Sequence, residues 1–526
     1  HYRYQVSASD NQKNDVASTV YHGTCPMCRF TDRDLEYLPS YDGDRILVAK
    51  FPYEFADPKR WDVIVFKYPG NATLNYIKRL VGKPGETIQI RAGDLWIRSP
   101  NGDFEIARKP PEKLLAMLQL VYDNDLAPTI SGDLHWPARW TPESDKTWTS
   151  KDLSSFEIDE GSAQDITWIR YRHRVPTPDE WQRRLIANQL PQDNVEPQLI
   201  SDFTAYNTSF NDQSDRNVES LIERGYGLHW VGDLAVQFEL ESKNSPSESG
   251  IVVTELIKGG CQFQCILDLA AGTAKLAIRR NGQGADPEAD AEADRFHPAA
   301  TTPGLGRGRH AVIFSNVDDE LRLWIDGSVV AFDGPTTYHS EQLHNRSPTK
   351  KDLAPIGIAA QKTSVKVSHI KALRDVYYIA VFDHGKARQP PGPLKDFKES
   401  DSDLKNFREE ELLLDQKNHP RWEKYVPDLK RPETWHEYFQ PSNMETCTIT
   451  LDPPDPAHPE KDQFFVLGDN SAQSADGRLW VGQWWVEREL LIGKALFIYW
   501  PHGWKIPYVP LPVNMVPYFQ RMHLVR

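Results

Sequence analysis

The sequence has no long apolar run. Nowhere in its 526 residues is there a stretch of about eighteen apolar residues that would cross a bilayer as a helix. No signal peptide opens the chain, and it begins on His1 rather than Met. Methionine and cysteine are both scarce, at five each, and an odd cysteine count excludes a complete set of intrachain disulfides. Positive charge is also short. Sixty-one Lys and Arg face 75 Asp and Glu, for a net charge of −14, which gives no support for nucleic acid as a partner. That acidity reads as the solubility of a large surface.

What is present points to a folded β protein. Hydrophobic residues make up 39% and aromatics 11%, which argues against disorder. The length exceeds that of one ordinary core, so two or more domains are expected. Sixteen Trp and 39 Pro suit many short strands with irregular connections rather than long helices.

Residues 1–40 are polar and weakly periodic, reading as a surface loop or small knuckle. Within them, Cys25-Pro26-Met27-Cys28 has the spacing of half a zinc site. His22 offers a third ligand, but no fourth is evident and no second CxxC lies nearby. The thioredoxin context that would favour redox chemistry is absent. Cys261 and Cys265 flank an alternating Gln-Phe-Gln and read as core thiols.

From 41 to 100 the pattern is one of short strands: Ile46 to Val48, Trp61 to Phe66 stopped by Pro69-Gly70, Tyr76 to Val81, Thr87 to Ile90, and Asp94 to Ile97. An antiparallel meander follows from these. Residues 101–139 read as a connection with one amphipathic helix from Pro111 to Val121, Pro111 suiting its first turn. Residues 140–385 alternate apolar and polar repeatedly and read as a β-sandwich. Its clearest hairpin runs from Asp319 to Val330, around the turn dipeptide Asp326-Gly327. The acidic run Asp286 to Asp294 reads as a solvated loop, and residues 386–459 as a linker with a short helix. Residues 460–526 contain a last alternating strand, Leu490 to Trp500, expected to close the first sheet. The aromatic stretch from Trp504 to Tyr518 suits either a membrane-surface contact or packing on that sheet.

Three stretches carry a resemblance. Gly43 to Phe51, Tyr76-Ile77-Lys78-Arg79-Leu80-Val81 with its turn to Glu86, and Phe465-Val466-Leu467-Gly468-Asp469-Asn470-Ser471 followed by Ser474-Ala475-Asp476-Gly477-Arg478 resemble, in this order, the boxes of the bacterial type I signal peptidase family. The resemblance implies a mainly β fold: a signal-peptidase-type antiparallel body interrupted by the inserted jelly roll. It also implies a membrane-anchored serine endopeptidase with a Ser/Lys dyad that removes signal peptides from exported preproteins. Its body would lie on the extracytoplasmic face of the cytoplasmic membrane, in contact with the lipid surface, and no cofactor is needed.

On this resemblance Lys78 matches the general base and Ser474 the serine that orients it. Arg79, Asp469, Asp476 and Arg478 match charged groups that hold the geometry. A base lysine must be neutral at working pH, its pKa far below the value near 10.4 it has in water, and the surroundings expected to lower it are Ile77, Leu80 and Val81, with Tyr76 two residues before on the same strand face. Two departures stand out: Gly477 occupies a place where the family usually has serine, and Ser471-Ala472-Gln473 replaces a more polar stretch. The nucleophile box, a Ser-Met-x-Pro-Thr-Leu-like motif, is not found. Ser7 and Ser9 lack its context, so the chain reads as a fragment that begins just past the nucleophile and is inactive as it stands.

The insert, with its Leu-x-Leu-Trp-Ile-Asp-Gly hairpin, resembles jelly rolls of the concanavalin/laminin-G type. That resemblance implies Ca²⁺ as a ligand to be checked at Asp318, Asp319 and Asp326. It also opens an alternative in which the sandwich binds carbohydrate or protein and the peptidase body is a degenerate scaffold.

Overall fold

The computed structural model describes residues 44–127, 138–176, 195–203, 229–381, 430–438 and 444–504 with short gaps, together with 516–517, 522–526 and isolated positions such as 23–25, 27–28, 31–32, 181 and 396. The fold is mainly β, and among the described residues the strand pairings are antiparallel.

The outer segments of the chain build one body from two sheets. The larger has the order Val486–Glu487, Gln463–Leu467, Asn71–Gly82, Val63–Tyr68, Leu491–Trp500 and His523–Leu524, with Arg45–Ala49 also pairing with Leu491–Trp500. Val63–Tyr68 and Asn71–Gly82 form a hairpin in which Ile64 faces Lys78 and Val65 faces Ile77. The second sheet runs Cys447–Thr450, Thr87–Arg91, Asp94–Arg98, Glu105–Ile106. The last stretch of the region read as linker therefore contributes a strand. Pairing with Thr87–Arg91 satisfies its backbone groups and buries Cys447 and Ile449.

The insert is a sandwich of two large sheets. One has the order Trp140–Pro142, Thr167–Tyr171, Ile356–Gln361, Ile251–Lys258, Cys261–Asp268, Thr273–Arg279, Ala299–Thr301. The other runs Ser155–Ile158, Val365–Arg374, Leu234–Ser242, Gly308–Val317, Glu320–Ile325, Ser328–Val329. Alternation along the strands aims Val236, Phe238 and Leu240 from one sheet and Phe263, Cys265 and Leu267 from the other into a shared core. Each such side chain contributes on the order of 1.5–3 kcal/mol by leaving water. Asp326 and Gly327 both have positive φ, 50° and 79°, as a two-residue hairpin turn of primed type requires.

Two local expectations are corrected. The helix covers only Pro111–Met117, and Leu118 turns extended at φ −56°, ψ 130°. Gln119–Asp123 then pairs with Val365–Arg374 as an extra strand, placing Val121 and Tyr122 in the sandwich core. Burial at a sheet edge outweighs helical spacing here. The acidic run is a helix, Pro287–Arg295, rather than a loop. Ala289 and Ala293, one turn apart, are both buried, and Arg280 holds Asp290 at 2.9 Å.

Sandwich and body are joined by polar contacts. Lys109 is buried between Asp318 and Asp375, its ammonium 2.7 Å from each. Burial pulls its pKa down, but the two carboxylates outweigh that and hold it above the ordinary value. Tyr378, just past the sandwich, packs in the body core and bridges to Gly93.

Candidate active site

Lys78 stands on Asn71–Gly82 where that strand passes from exposed to buried. Its Nζ donates to Ser474 Oγ at 2.9 Å. Strand alternation puts Tyr76 and Leu80 on the same face as Lys78, and both pack in one small core. Ile77 and Val81 point to the other face, and Ile77 is 45% exposed. Two of the three expected apolar walls are therefore not walls of this site. Tyr76, expected on this face, has its ring centre 5.9 Å from Nζ. Burial lowers the Lys78 pKa; Asp476 and Asp469 oppose the shift, and Arg478 adds to it.

Ser474 arrives from the loop after Gln463–Leu467, which pairs with the lysine strand through Val466 to Leu80 and Leu467 to Arg79. Gly468 opens that loop. A Cβ at 468 would lie 2.6 Å from Ser474 Cβ, closer still to its Oγ, and 3.5 Å from Lys78 Nζ. Only glycine lets the serine reach the lysine here.

Arg79 donates from Nε and Nη2 to the two oxygens of Asp469 at 2.7 and 2.6 Å, a bidentate pair, and from Nη1 to the Trp61 carbonyl at 2.8 Å. Asp476 accepts from the Gly468 N–H at 3.0 Å and from Arg478 Nε and Nη2 at 2.9 and 2.8 Å. Both side chains of the Asp476–Arg478 pair are wholly buried. Burial lowers the Arg478 pKa but Asp476 raises it by more, so the guanidinium stays charged.

Residues that sequence reading did not assign to the site complete the frame. Ser471 Oγ accepts from Arg478 Nη1 at 2.9 Å and from the Ile379 N–H at 3.0 Å, and Arg478 Nη1 also reaches the Ile379 carbonyl at 2.9 Å. Gln119 Nε2 donates to the Asp469 carbonyl at 2.9 Å. The loop that carries Ser474 is thus held from both flanks of the insert. No local sequence signal marks Ile379, because only its backbone is used. The serine missing at 477 has a steric reason: a Cβ there would lie 2.6 Å from Phe465 Cε2 and 2.7 Å from the Trp484 carbonyl.

The remaining candidates are dispersed. Cys25 and Cys28 lie at the turn of the small hairpin Gly23–Thr24 with Thr31–Asp32, where Cys28 is buried against Trp181. His22, Ser7 and Ser9 fall outside the described residues. Asp318 is engaged by Lys109, Asp319 by Lys258 and Ser340, and Asp326 by His310. Among the described residues these three aspartates do not form a cluster with ligand spacing.

Comparison with known proteins agrees with the body just described. The signal peptidase, peptidase S26 family model matches residues 38–134 and 406–500. Signal peptidase I of Pseudomonas fluorescens is 45% identical over 64 residues, which are 10% of this chain and 22% of that protein. Signal peptidase I of Leptolyngbya laminosa is 37% identical over 84 residues, 14% of this chain and 41% of its own. The chain spans less than half the length of either relative. Among solved structures, a carbohydrate-binding module from Bacillus subtilis aligns over 45% of this chain and 95% of its own at 8% identity, with a TM-score of 0.23, too low to assign a fold by likeness. The two matched segments include those that build the sheet bearing Lys78 and the loop bearing Ser474, and it is over them that the chain is similar to the type I signal peptidase family.

Proposed function

We propose that the body is a serine endopeptidase that cleaves signal peptides from exported preproteins, with Lys78 as general base and Ser474 as the group that orients it. The observation that carries this reading is a desolvated lysine 2.9 Å from a buried serine, across a glycine that leaves room for the contact. A neutral amine that donates one N–H to Ser474 keeps its lone pair for a second hydroxyl. In the reaction that hydroxyl belongs to the nucleophilic serine. Its proton passes to Lys78 Nζ as its oxygen attacks the scissile carbonyl, and Lys78 then returns the proton to the departing amine. Water repeats the cycle on the acyl-enzyme. Among the described residues Ser474 is the serine that Lys78 contacts, and in this reading it orients the lysine while the nucleophile is a different serine.

The substrate would lie extended along a sheet edge beside Lys78, with small side chains next to the scissile bond. Leu47, Phe51, Phe55 and Leu524 are each more than half exposed and suit contact with the lipid surface on the extracytoplasmic side of the membrane. Among the described residues no helix is long and apolar enough to cross a bilayer.

The test is processing of a preprotein with an Ala-x-Ala cleavage site by the product of the complete reading frame, reconstituted in lipid vesicles. Lys78→Met should lower processing by about 10²–10⁴-fold with folding retained, and Ser474→Ala should also lower it. Processing by Lys78→Met at the wild-type rate would sink the assignment.

A further inference from the structure

The chain enters the sandwich and returns from it through two arms that lie side by side. Gln119, at the head of Gln119–Asp123, pairs with Arg374, the last residue of Val365–Arg374. The return arm is tied on both sides just past that point. The Asp375 N–H donates to the Asp233 carbonyl at 2.9 Å, and the Tyr378 N–H to the Gly93 carbonyl of the body at 3.0 Å. Both arms therefore follow one edge of one sandwich sheet.

Both arms also end on the segment that carries Ser474. The ladder between Gln463–Leu467 and the lysine strand stops at Leu467, opposite Arg79. What fixes the residues beyond it comes from elsewhere. Gln119 Nε2 donates to the Asp469 carbonyl at 2.9 Å, and the Ile379 N–H donates to Ser471 Oγ at 3.0 Å. Gln119, Ile379 and Ser471 are all buried, where a lost partner is not replaced by bulk water.

Arg478 joins these grips to the site. A guanidinium has five N–H donors in a fixed plane, and here each has an acceptor. Two go to Asp476, which also accepts from the Gly468 N–H. Two go to Ser471, at Oγ and at the carbonyl, at 2.9 and 2.8 Å. The fifth reaches the Ile379 carbonyl at 2.9 Å. The departure at Ser471 thus has a partner in the fold: its hydroxyl accepts a backbone N–H that only the insert supplies.

We propose that Ser471 and Gln119 are positioning residues through which the inserted sandwich sets the contact between Ser474 and Lys78. The proposal rests on the peptidase reading above and adds to it that the sandwich is part of the active-site scaffold, not a detachable module. The 2.9 Å contact tolerates little movement before it leaves hydrogen-bond range, and a misplacement of about 1 Å costs on the order of 10²-fold in rate.

The experiment is preprotein processing in vesicles by the product of the complete reading frame, with kcat and KM expressed per folded molecule from urea unfolding of the same sample. Ser471→Ala should lower kcat by about 10–10²-fold with KM retained, and Ser471→Thr, which keeps the hydroxyl, should recover most of that loss. Gln119→Met removes one donor and keeps the shape; it should lower kcat in the same way and carries the test if Ser471→Ala does not fold. Asp326→Asn, at the remote hairpin, should process as the parent does. The decisive readout is the double variant. Because Ser471 acts through Ser474, Ser471→Ala should lower kcat no further in a Ser474→Ala background. An equal factor in both backgrounds would mean a general loosening of the fold and would overturn the proposal. So would parental kcat in folded Ser471→Ala and Gln119→Met while Lys78→Met is impaired, an outcome that leaves the peptidase reading standing. Parental processing by Lys78→Met would instead sink the peptidase reading, and this proposal with it.

Discussion

Replacing Gly468 by alanine puts a methyl group where Ser474 now sits, and the consequences can be worked from distances. The new Cβ would lie 2.6 Å from Ser474 Cβ, where about 3.5–4.0 Å is comfortable. Ser474 must therefore retreat by roughly 1 Å. Its 2.9 Å contact with Lys78 would then exceed hydrogen-bond range. Displacement of a catalytic group by about 1 Å costs on the order of 10²-fold in rate, while overpacking of this kind costs about 1–3 kcal/mol in stability. The assay is preprotein processing by the full reading-frame product in vesicles, beside urea unfolding of the same sample. The expected result is a fall of about 10²-fold in kcat/KM with a cooperative unfolding transition retained. Gly334→Ala, at a position where a Cβ meets nothing within 4 Å, should match the parent in both measurements. A folded Gly468→Ala protein that processes at the parent rate would show that the Lys78–Ser474 contact does not serve the reaction.

Other expectations follow from the buried charges. Because burial lowers the Lys78 pKa, its charged form costs stability at every pH below the folded value. That cost fades as pH rises toward the unfolded value near 10.4, so Lys78→Met should raise Tm at neutral pH and lose the advantage by about pH 10.5. Processing by the parent should increase with pH as Lys78 becomes neutral. Arg478→Met leaves Asp476 buried and unpaired and should cost about 3–5 kcal/mol in urea unfolding. His229 is buried between Asp202, at 2.8 Å, and Asp396, at 3.1 Å. Burial lowers its pKa, but the two carboxylates outweigh that and lift it to about 10. A raised folded value stabilises fully below the unfolded pKa near 6.5 and loses that contribution as pH rises through about 10. The stability gap between parent and His229→Asn should therefore be widest below pH 6.5 and narrow toward pH 10.

The lysine strand was legible because its information is local. Alternation, the Pro84-Gly85 turn and the boxes that resemble a known family all sit within short windows. The Asp326-Gly327 hairpin was legible for the same reason, since positive φ at two successive residues is a chemical demand that few dipeptides meet. Misreadings arose where distant partners decide. Pro111 to Val121 has helical spacing, yet its last third becomes a strand because Val365–Arg374, some 250 residues away, offers backbone partners and a core. The run from Asp286 to Asp294 looked soluble in isolation, but two alanines one turn apart gave it a buried stripe.

By itself the sequence determined the mainly β character, the residue types at 78, 474, 476 and 478, and the presence of a large insert, since periodicity and motif are properties of neighbouring residues. Only the tertiary structure decided that Ser474 reaches Lys78 across 396 positions, that Gly468 and Gly477 are glycines for steric reasons, and that Gln119 and Ile379 hold the loop between them. It also decided that Asp94, Asp233 and Asp318 gather at the seam with Lys109 and Lys258 against them. Contact and burial depend on what the rest of the chain brings alongside, and no window of sequence contains that.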